Sequence, residues 1–219
     1  MRQTLTNRRW RGHRHASALA VMMCLSVALQ ACTVVSIEED RMARAQQSDS
    51  FDAKAFAEQV WTAKVLPATD GRAQPVDTLL TALKTDAATA EKSFGRQAGE
   101  GSPYTYAITG EGMVTAVDAS GPAGTATVRV GDTDVLIRTG PYVSGTTLRD
   151  SLAFISFNDF TNQLVYADVS KSLNDKALRA NAAAIGALRV GQKVRFTGVF
   201  AHAADAQVRL TPVRLDVVS

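Results

Sequence analysis

The apolar positions at the start of the folded part of the chain predict two helices. Asp52 is placed to cap the first helix, and Phe51 and Phe56 have the spacing of a hydrophobic staple around that cap. Its apolar stripe consists of Phe56, Val60, Trp61 and Val65, and Pro67 is expected to end it. The second helix is predicted over 76–94, with its stripe at Val76, Leu79, Leu80, Leu83, Ala87, Ala90 and Phe94. Gly95 is expected in a left-handed position beyond it, and the two helices are expected to form a hairpin over 51–97.

After residue 102 the pattern changes to the two-residue alternation of β-strands. The strands are predicted over 104–117, 125–130, 135–138, 193–200 and 208–217. Gly110 and Gly112 interrupt the first strand, which we expect to bend there, and Gly131 suits the turn of a hairpin between the second and third. Pro212 causes a phase slip in the last strand, which is therefore expected at a sheet edge.

A helical insert, residues 146–185, separates the third and fourth strands. Thr147 and Asp150 have the spacing of a capping box, and Leu148, Leu152 and Ile155 share one helical face. A longer helix follows, capped by Asn158 or Asp159. Its buried side is expected to hold Phe160, Leu164 and Ala167 and to continue toward Leu173, with Val165 and Val169 as further candidates for the same side.

Five strands with a helix between the third and fourth follow the order of the OB-fold. A long first strand bent at glycine is expected there, because it must serve both halves of a small barrel. The predicted fold class is α+β: an N-terminal helical hairpin followed by a five-stranded OB-like β-barrel domain over 102–219.

The first 31 residues have the organisation of a bacterial signal peptide. Five arginines and no acid precede the uncharged stretch 16–29. As a helix those residues span about 21 Å, which is less than the hydrocarbon core of about 30 Å. Leu29, Gln30 and Ala31 match the lipobox before Cys32. An ordinary secretion signal with an unrelated cysteine is the alternative.

We expect a diacylglycerol on the Cys32 thiol and an acyl chain on its amino group, with no other cofactor. Each buried methylene contributes about 0.8 kcal/mol, so two or more chains hold a protein stably on a bilayer. Residues 32–50 are polar and are predicted to connect the domain to this anchor on the periplasmic side of the cell membrane, as a tether or as a loosely docked helix. Thr33 in place of aspartate favours the outer membrane in bacteria that use aspartate as a retention signal, and the choice between inner and outer membrane stays open.

Charge and composition narrow the function of the mature chain. The sequence has 24 basic and 21 acidic residues, and the five leader arginines leave 19 basic residues from Cys32 onward, a net charge of −2. No basic stripe of the kind that binds nucleic acid is present. His202 is the single histidine after the leader and is expected in a solvated loop. With Cys32 acylated, neither a disulfide nor a metal site of cysteine and histidine ligands is expected.

Several segments together carry a resemblance to a known family. They are the lipobox, the W-x-x-K-V-L-P at 61–67, the G-x-G-x-V at 110–114, the block 140–174 and the G-x-K-V-x-F-x-G-x-F at 191–200. Over nearly all its mature length the chain resembles the bacterial predicted periplasmic lipoproteins, domain of unknown function 2291. The resemblance implies an exported lipoprotein. Since some members lie near genes for sugar uptake transporters, it also implies an ABC importer or its solute as partner, but no established activity.

The block 140–174 contains the candidate binding surface. Its members are Gly140, Pro141, Gly145, Thr146, Arg149, Asp150, Asn158, Asp159, Asn162 and Gln163. Arg149 could hold a carboxylate or phosphate through its guanidinium fork, and the amides could bind sugar hydroxyls. The structural alternative is that these residues form turns and helix caps and that Arg149 pairs with Asp150.

These observations favour a binding or accessory module without catalytic activity. An envelope assembly or protein-interaction factor is the alternative. A hydrolase with Asp150 and Asp159 as acid and base has less support, because two aspartates nine positions apart are unremarkable among 21 acidic residues. Neither the ligand nor the oligomeric state follows from the sequence.

The anchor is tested by growing cells with labelled palmitate. We expect the label on the wild-type protein and its absence from Cys32→Ser, which should also leave the membrane fraction because the acyl chains are lost. Cys24→Ser is the matched control and should keep both. Unchanged membrane association of Cys32→Ser would contradict the prediction.

Overall fold

A closed β-barrel is the centre of this computed structural model, which describes residues 51–202 and 207–218. The strands are β1 (Gln74–Pro75), β2 (Thr105–Asp118), β3 (Ala123–Val130), β4 (Thr133–Pro141), β5 (Lys193–Ala201) and β6 (Val208–Val218). Around the barrel they follow the order β2-β3-β4-β6-β5, and β5 pairs back with β2. This order confirms the predicted OB-like barrel. The predicted signal peptide, Cys32 and the tether lie outside the described residues.

Strand β2 pairs with two neighbours, and two glycines let it bend between them. Residues 105–113 pair antiparallel with β5, and residues 113–118 pair antiparallel with β3. A Cβ added to Gly110 would lie 2.8 Å from a ring carbon of Phe196 in β5. A Cβ added to Gly112 would lie 2.1 Å from the Arg129 carbonyl oxygen in β3. Both positions therefore exclude a side chain, as expected for the predicted glycine-bent strand.

Strand β6 is not the sheet edge that its proline predicts. It pairs antiparallel with β5, and its residues 208–210 pair parallel with residues 135–137 of β4. Pro212 lies opposite Gly198, where the β5–β6 register shifts. A proline is tolerated at such an irregularity because the regular ladder is interrupted there. The edge prediction is wrong because barrel closure gives β6 a neighbour on both sides.

The first helical segment continues past Pro67, which the sequence predicts as its end. It consists of α1 (Ala53–Val60), a π-helical turn (Trp61–Val65) and α2 (Leu66–Asp70). At the end of the π-helical turn the Leu66 N–H donates to the Trp61 carbonyl, five residues back. Pro67 thereby occupies the first turn of a new helix, where its missing N–H costs nothing.

The predicted start of α1 is confirmed. The Asp52 carboxylate accepts a hydrogen bond from the Ala55 N–H at 2.8 Å. The Phe51 and Phe56 rings, on either side of this cap, have centroids 5.8 Å apart, as a hydrophobic staple requires.

The second helical segment is two helices, α3 (Val76–Thr85) and α4 (Ala87–Phe94). Asp86 has an extended backbone and separates the two helices. Its side chain accepts a hydrogen bond from the Thr89 N–H at 3.1 Å and so caps the start of α4. Gly95 is not left-handed, since its φ is −76°. A glycine is required there because an added Cβ would lie 2.6 Å from the Glu91 carbonyl oxygen.

The insert between β4 and β5 begins with short turns and continues as one long helix. Its elements are α5 (Thr147–Asp150), a 3-10 turn (Phe157–Asp159), α6 (Gln163–Ala180) and α7 (Ala182–Ala187). The capping box expected at Thr147 and Asp150 is absent, and one forms instead between Ser156 and Asp159. Asn162, rather than Asn158 or Asp159, caps α6.

The buried face of α6 differs from the one favoured by the sequence. Leu164 and Ala167 are exposed, whereas Val165, Val169, Leu173 and Ala177 are buried. Two apolar stripes are therefore compatible with the same sequence, and packing selects the one that faces α1. Leu148, Leu152 and Ile155 are all buried, as predicted.

The two N-terminal helical segments pack into different hydrophobic clusters and do not share the core that a hairpin implies. The barrel interior is closed by Val76, Leu79 and Leu83 of α3 and by Ala90 of α4. A second cluster, on the outer face of the barrel wall, combines α1 with α6 and with Ala107, Val199 and Val213. An apolar stripe shows that a helix is buried but does not specify its partner.

Substitution of Gly112 tests the constraint on β2. We expect Gly112→Ala to lower the free energy of unfolding by about 1–3 kcal/mol, because the new methyl group meets the Arg129 carbonyl. Gly121→Ala, where the added Cβ meets nothing within 4 Å, should change it by less than about 0.5 kcal/mol. Urea denaturation measures both, and equal effects would contradict the prediction.

Candidate functional site

The predicted surface residues lie in three groups, of which the first fastens a loop to α6. This group is Gly140, Pro141, Gly145 and Thr146. Gly140 has a φ of 78°, and an added Cβ there would lie 2.6 Å from a methyl carbon of Leu178. The Gly145 carbonyl accepts hydrogen bonds from Ser170 Oγ at 3.0 Å and Asn174 Nδ2 at 2.9 Å. These contacts support the turn role given as the structural alternative.

Arg149 and Asp150, the second group, bind each other. Arg149 Nε and Nη2 donate to Asp150 Oδ1 at 2.9 and 2.7 Å, and Nη1 donates to the Tyr166 carbonyl at 3.0 Å. The guanidinium carbon also lies 3.5 Å from the centroid of the Tyr166 ring. Arg149 is buried, and these hydrogen bonds occupy its guanidinium fork within the protein, as in the structural alternative.

The third group, Asn158, Asp159, Asn162 and Gln163, surrounds the start of α6. The Asn162 side chain accepts hydrogen bonds from the N–H groups of Leu164 and Val165 at 2.9 and 3.0 Å. Asp159 accepts the Ser156 N–H at 2.8 Å. Asp159 caps the 3-10 turn while Asp150 is held by Arg149, so each carboxylate of the hydrolase hypothesis has a structural partner.

The structure brings two further arginines, Arg72 and Arg96, next to the second group. Arg72 Nη1 donates to the Ser151 carbonyl at 2.7 Å and its Nη2 to the Phe94 carbonyl at 3.1 Å. Arg96 Nε donates to the Asp150 carbonyl at 3.1 Å. With Gly95, Gln97 and Ala153, the two arginines line a cleft of about 340 Å³, which we call the arginine cleft.

The charges of the arginine cleft are not neutralised locally. Neither Arg72 nor Arg96 forms an ion pair with a carboxylate in the described part of the chain, and Arg96 Nη1 and Nη2 have no hydrogen-bond partner there. Burial, and secondarily the charge of Arg96, lowers the pKa of the Arg72 guanidinium. An anion bound between the two arginines would relieve this repulsion.

Sequence patterns do not identify Arg72 and Arg96. Arg72 follows α2 in a turn and Arg96 follows α4, so neither belongs to a periodic stripe or a motif. Their partners, Ser151 and Asp150, are 79 and 54 positions away along the chain. Arg96 comes two positions after the predicted second helix, a placement common to many surface arginines, and Arg72 lies five positions beyond the predicted end of the first helix at Pro67.

Tyr106 carries the buried hydroxyl of the barrel interior. Its oxygen has no hydrogen-bond partner among the described residues, and burial, followed by the charge of Glu91, raises its pKa to about 12. His202 packs edge-on against the Tyr106 and Phe200 rings at centroid distances of 6.2 and 6.4 Å, so it is half-buried rather than solvated. Over 51–202 and 207–218 no group of three or more acidic, histidine or cysteine side chains could hold a metal ion.

Comparison with protein families connects this fold to an envelope protein. The family described as "Predicted periplasmic lipoprotein (DUF2291)" matches residues 22–216. The chain belongs to this family. Membership supports a location that faces the periplasm, as predicted, and carries no known activity. No helix in the part of this DUF2291 lipoprotein that the structure describes has the length and apolar character needed to cross a bilayer.

One solved structure confirms the fold of this DUF2291 lipoprotein. It is similar to the crystal structure of an OB-fold protein from Thermotoga maritima, with a TM-score of 0.63 and 19% identity over 77% of this chain and 99% of that chain. An OBody bound to hen egg-white lysozyme has a TM-score of 0.29 and 11% identity, over 54% of this chain and 82% of its own. No curated protein matches the sequence significantly.

Tyr106→Phe tests the energetic role of the buried hydroxyl. Burial raises the pKa of the Tyr106 phenol to about 12 in the folded protein, above the value of about 10 in the unfolded chain, so rising pH between these values favours unfolding. We expect the variant to equal or exceed the wild type in stability at neutral pH, because it buries no unpaired hydroxyl. Its advantage should grow from pH 10 to 12 in chemical denaturation, and a constant difference would contradict this account.

Proposed function

We propose that this lipoprotein is a non-enzymatic binding module of the periplasm that takes an anionic ligand in the arginine cleft. The observation that carries the proposal is the pair Arg72 and Arg96, which line one cleft and have only backbone carbonyls as partners in the described part of the chain. The ligand class is a small carboxylate or phosphate.

The chemistry of the cleft suits that class. A guanidinium offers several donors in one plane, and a carboxylate or phosphate matches them with two parallel hydrogen bonds. Arg96 has both Nη atoms available, while its Nε contact with the Asp150 carbonyl fixes the direction of the side chain. Arg72 is held at two atoms by carbonyls of different segments, so its charge is positioned before a ligand arrives.

The proposal includes the setting of the protein. Acyl chains on Cys32 would hold it to the membrane, and the tether would place the cleft in the periplasm. The resemblance to lipoproteins encoded near sugar uptake transporters supports an ABC importer as partner and its solute as source of the ligand. An acidic or phosphorylated sugar is the ligand that fits both this setting and the positive charge of the cleft.

Matched pairs of compounds test the ligand class. We expect glucuronate or glucose 6-phosphate to raise the thermal midpoint of the purified protein at low salt, whereas glucose does not, because only the anions can neutralise the arginines. Arg96→Gln should raise the Kd at least tenfold, which is a loss of about 1.4 kcal/mol of binding free energy. Arg189→Gln is the control, since Arg189 also donates only to backbone carbonyls but lines a different part of the surface.

Three outcomes would contradict the proposal. Equal stabilisation by glucose and its anionic counterparts would show that the charge of the ligand does not contribute to binding. An unchanged Kd in Arg96→Gln would place the anion elsewhere. If no compound stabilises the protein while crosslinking in cells captures an envelope protein, the assembly-factor alternative is favoured.

A further inference from the structure

Five aromatic side chains form a continuous patch at the point where the chain enters the domain. This aromatic patch consists of Phe51, Phe56, Phe157, Phe160 and Tyr166. Its ring centroids lie 5.5 Å apart for Phe51 and Phe160, 5.9 Å for Phe56 and Phe160, and 5.6 Å for Phe160 and Tyr166. The ring centroid of Phe157 lies 5.4 Å from that of Tyr166. These separations are those of packed ring pairs.

The aromatic patch is incompletely covered by the protein. Phe157 is 49% exposed, and Leu164, in the first turn of α6, is 71% exposed. The neighbouring side chains Asn158 and Gln163 are polar and also exposed. Apolar side chains with a polar border are suited to a membrane surface, where rings reach the boundary between head groups and acyl chains.

The position of the patch relative to the tether identifies the surface that covers it. Phe51 belongs to the patch and is the residue at which the tether joins the domain, only 19 positions after Cys32. Even fully extended, a chain of that length reaches at most about 65 Å. The patch is therefore the part of the described domain with the shortest covalent connection to the anchor.

We infer that the aromatic patch docks on the bilayer that holds the anchor, with Phe157 and Leu164 at the level of the head groups. The inference rests on acylation of Cys32, which belongs to the proposed function, but it does not depend on the arginine cleft. A contact that is weak by itself suffices, because the tether keeps the patch at a high effective concentration near the membrane.

Tryptophan quenching tests this docking on the acylated protein. The protein is purified from membranes and reconstituted in vesicles of phosphatidylethanolamine and phosphatidylglycerol, with or without brominated acyl chains. Phe157→Trp is compared with Val190→Trp. Val190 is 65% exposed and lies beyond the other end of α6, a helix about 27 Å long. Buried Trp61 contributes the same background to both variants.

We expect brominated chains to quench Phe157→Trp at least twofold more than Val190→Trp. Adding Leu164→Glu should remove at least half of that difference, and an unchanged difference would overturn the place of Leu164 in the contact. Equal quenching of the two tryptophan variants overturns the docking. A difference that disappears as protein is diluted in the vesicles shows a second copy on the patch, which also overturns it.

Vesicle flotation separates the docking from the anchor on which it rests. Protein that floats with the vesicles but shows equal quenching has an anchor and no docked patch. Protein that does not float lacks the anchor, and this result overturns both the tethered location and the docking. Ligand binding at the arginine cleft is tested independently, by the Kd of Arg96→Gln.

Discussion

Closure of the barrel depends on one strand that pairs with two neighbours. Strand β2 must turn sharply enough for its first half to bond with β5 and its second half with β3. At the bend, a ring of β5 and the backbone of β3 approach closer than any Cβ at Gly110 or Gly112 would allow. The strand order, the parallel contact of β4 with β6 and the absence of an open edge at β6 all follow from this closure.

The barrel wall separates two hydrophobic cores that use alternate residues of the same strands. Tyr106 and Ile108 point into the barrel, where α3 and α4 close one part of it, while Ala107 between them points outward. The outer core adds α1, α5 and α6, so this stretch of β2 is buried on both faces. The helices are therefore part of the packed structure and not appendages to a complete barrel.

The same outer layer organises the polar chemistry. Arg149 is buried against Tyr166 and paired with Asp150, and the backbone of 150–151 in turn orients Arg96 and Arg72. The arginine cleft thus depends on an ion pair that does not itself line the cleft. Tyr166 also belongs to the aromatic patch, so Arg149 connects the patch with the backbone that orients the two arginines of the cleft.

Local patterns in the sequence determined much of the secondary structure and the family. The Asp52 cap with its staple, the five alternating segments, the glycine bend in β2 and the helical insert are all local features, because each depends on residues within about one helical turn or one strand. The lipobox and the spacing of short motifs were likewise sufficient for the resemblance that family membership confirms.

Tertiary structure decided which of several compatible local arrangements forms. The choice between two apolar stripes on α6 depends on α1, a neighbour distant in sequence. The same holds for the arginine cleft, whose side chains are oriented by carbonyls 54 and 79 positions away. The π-helical turn before Pro67, the break at Asp86 and the Asn162 cap are instead closed by hydrogen bonds between residues at most five positions apart. A periodic pattern reports that a face is buried, but the partner that covers it and the polar groups brought beside it exist only once the barrel has closed.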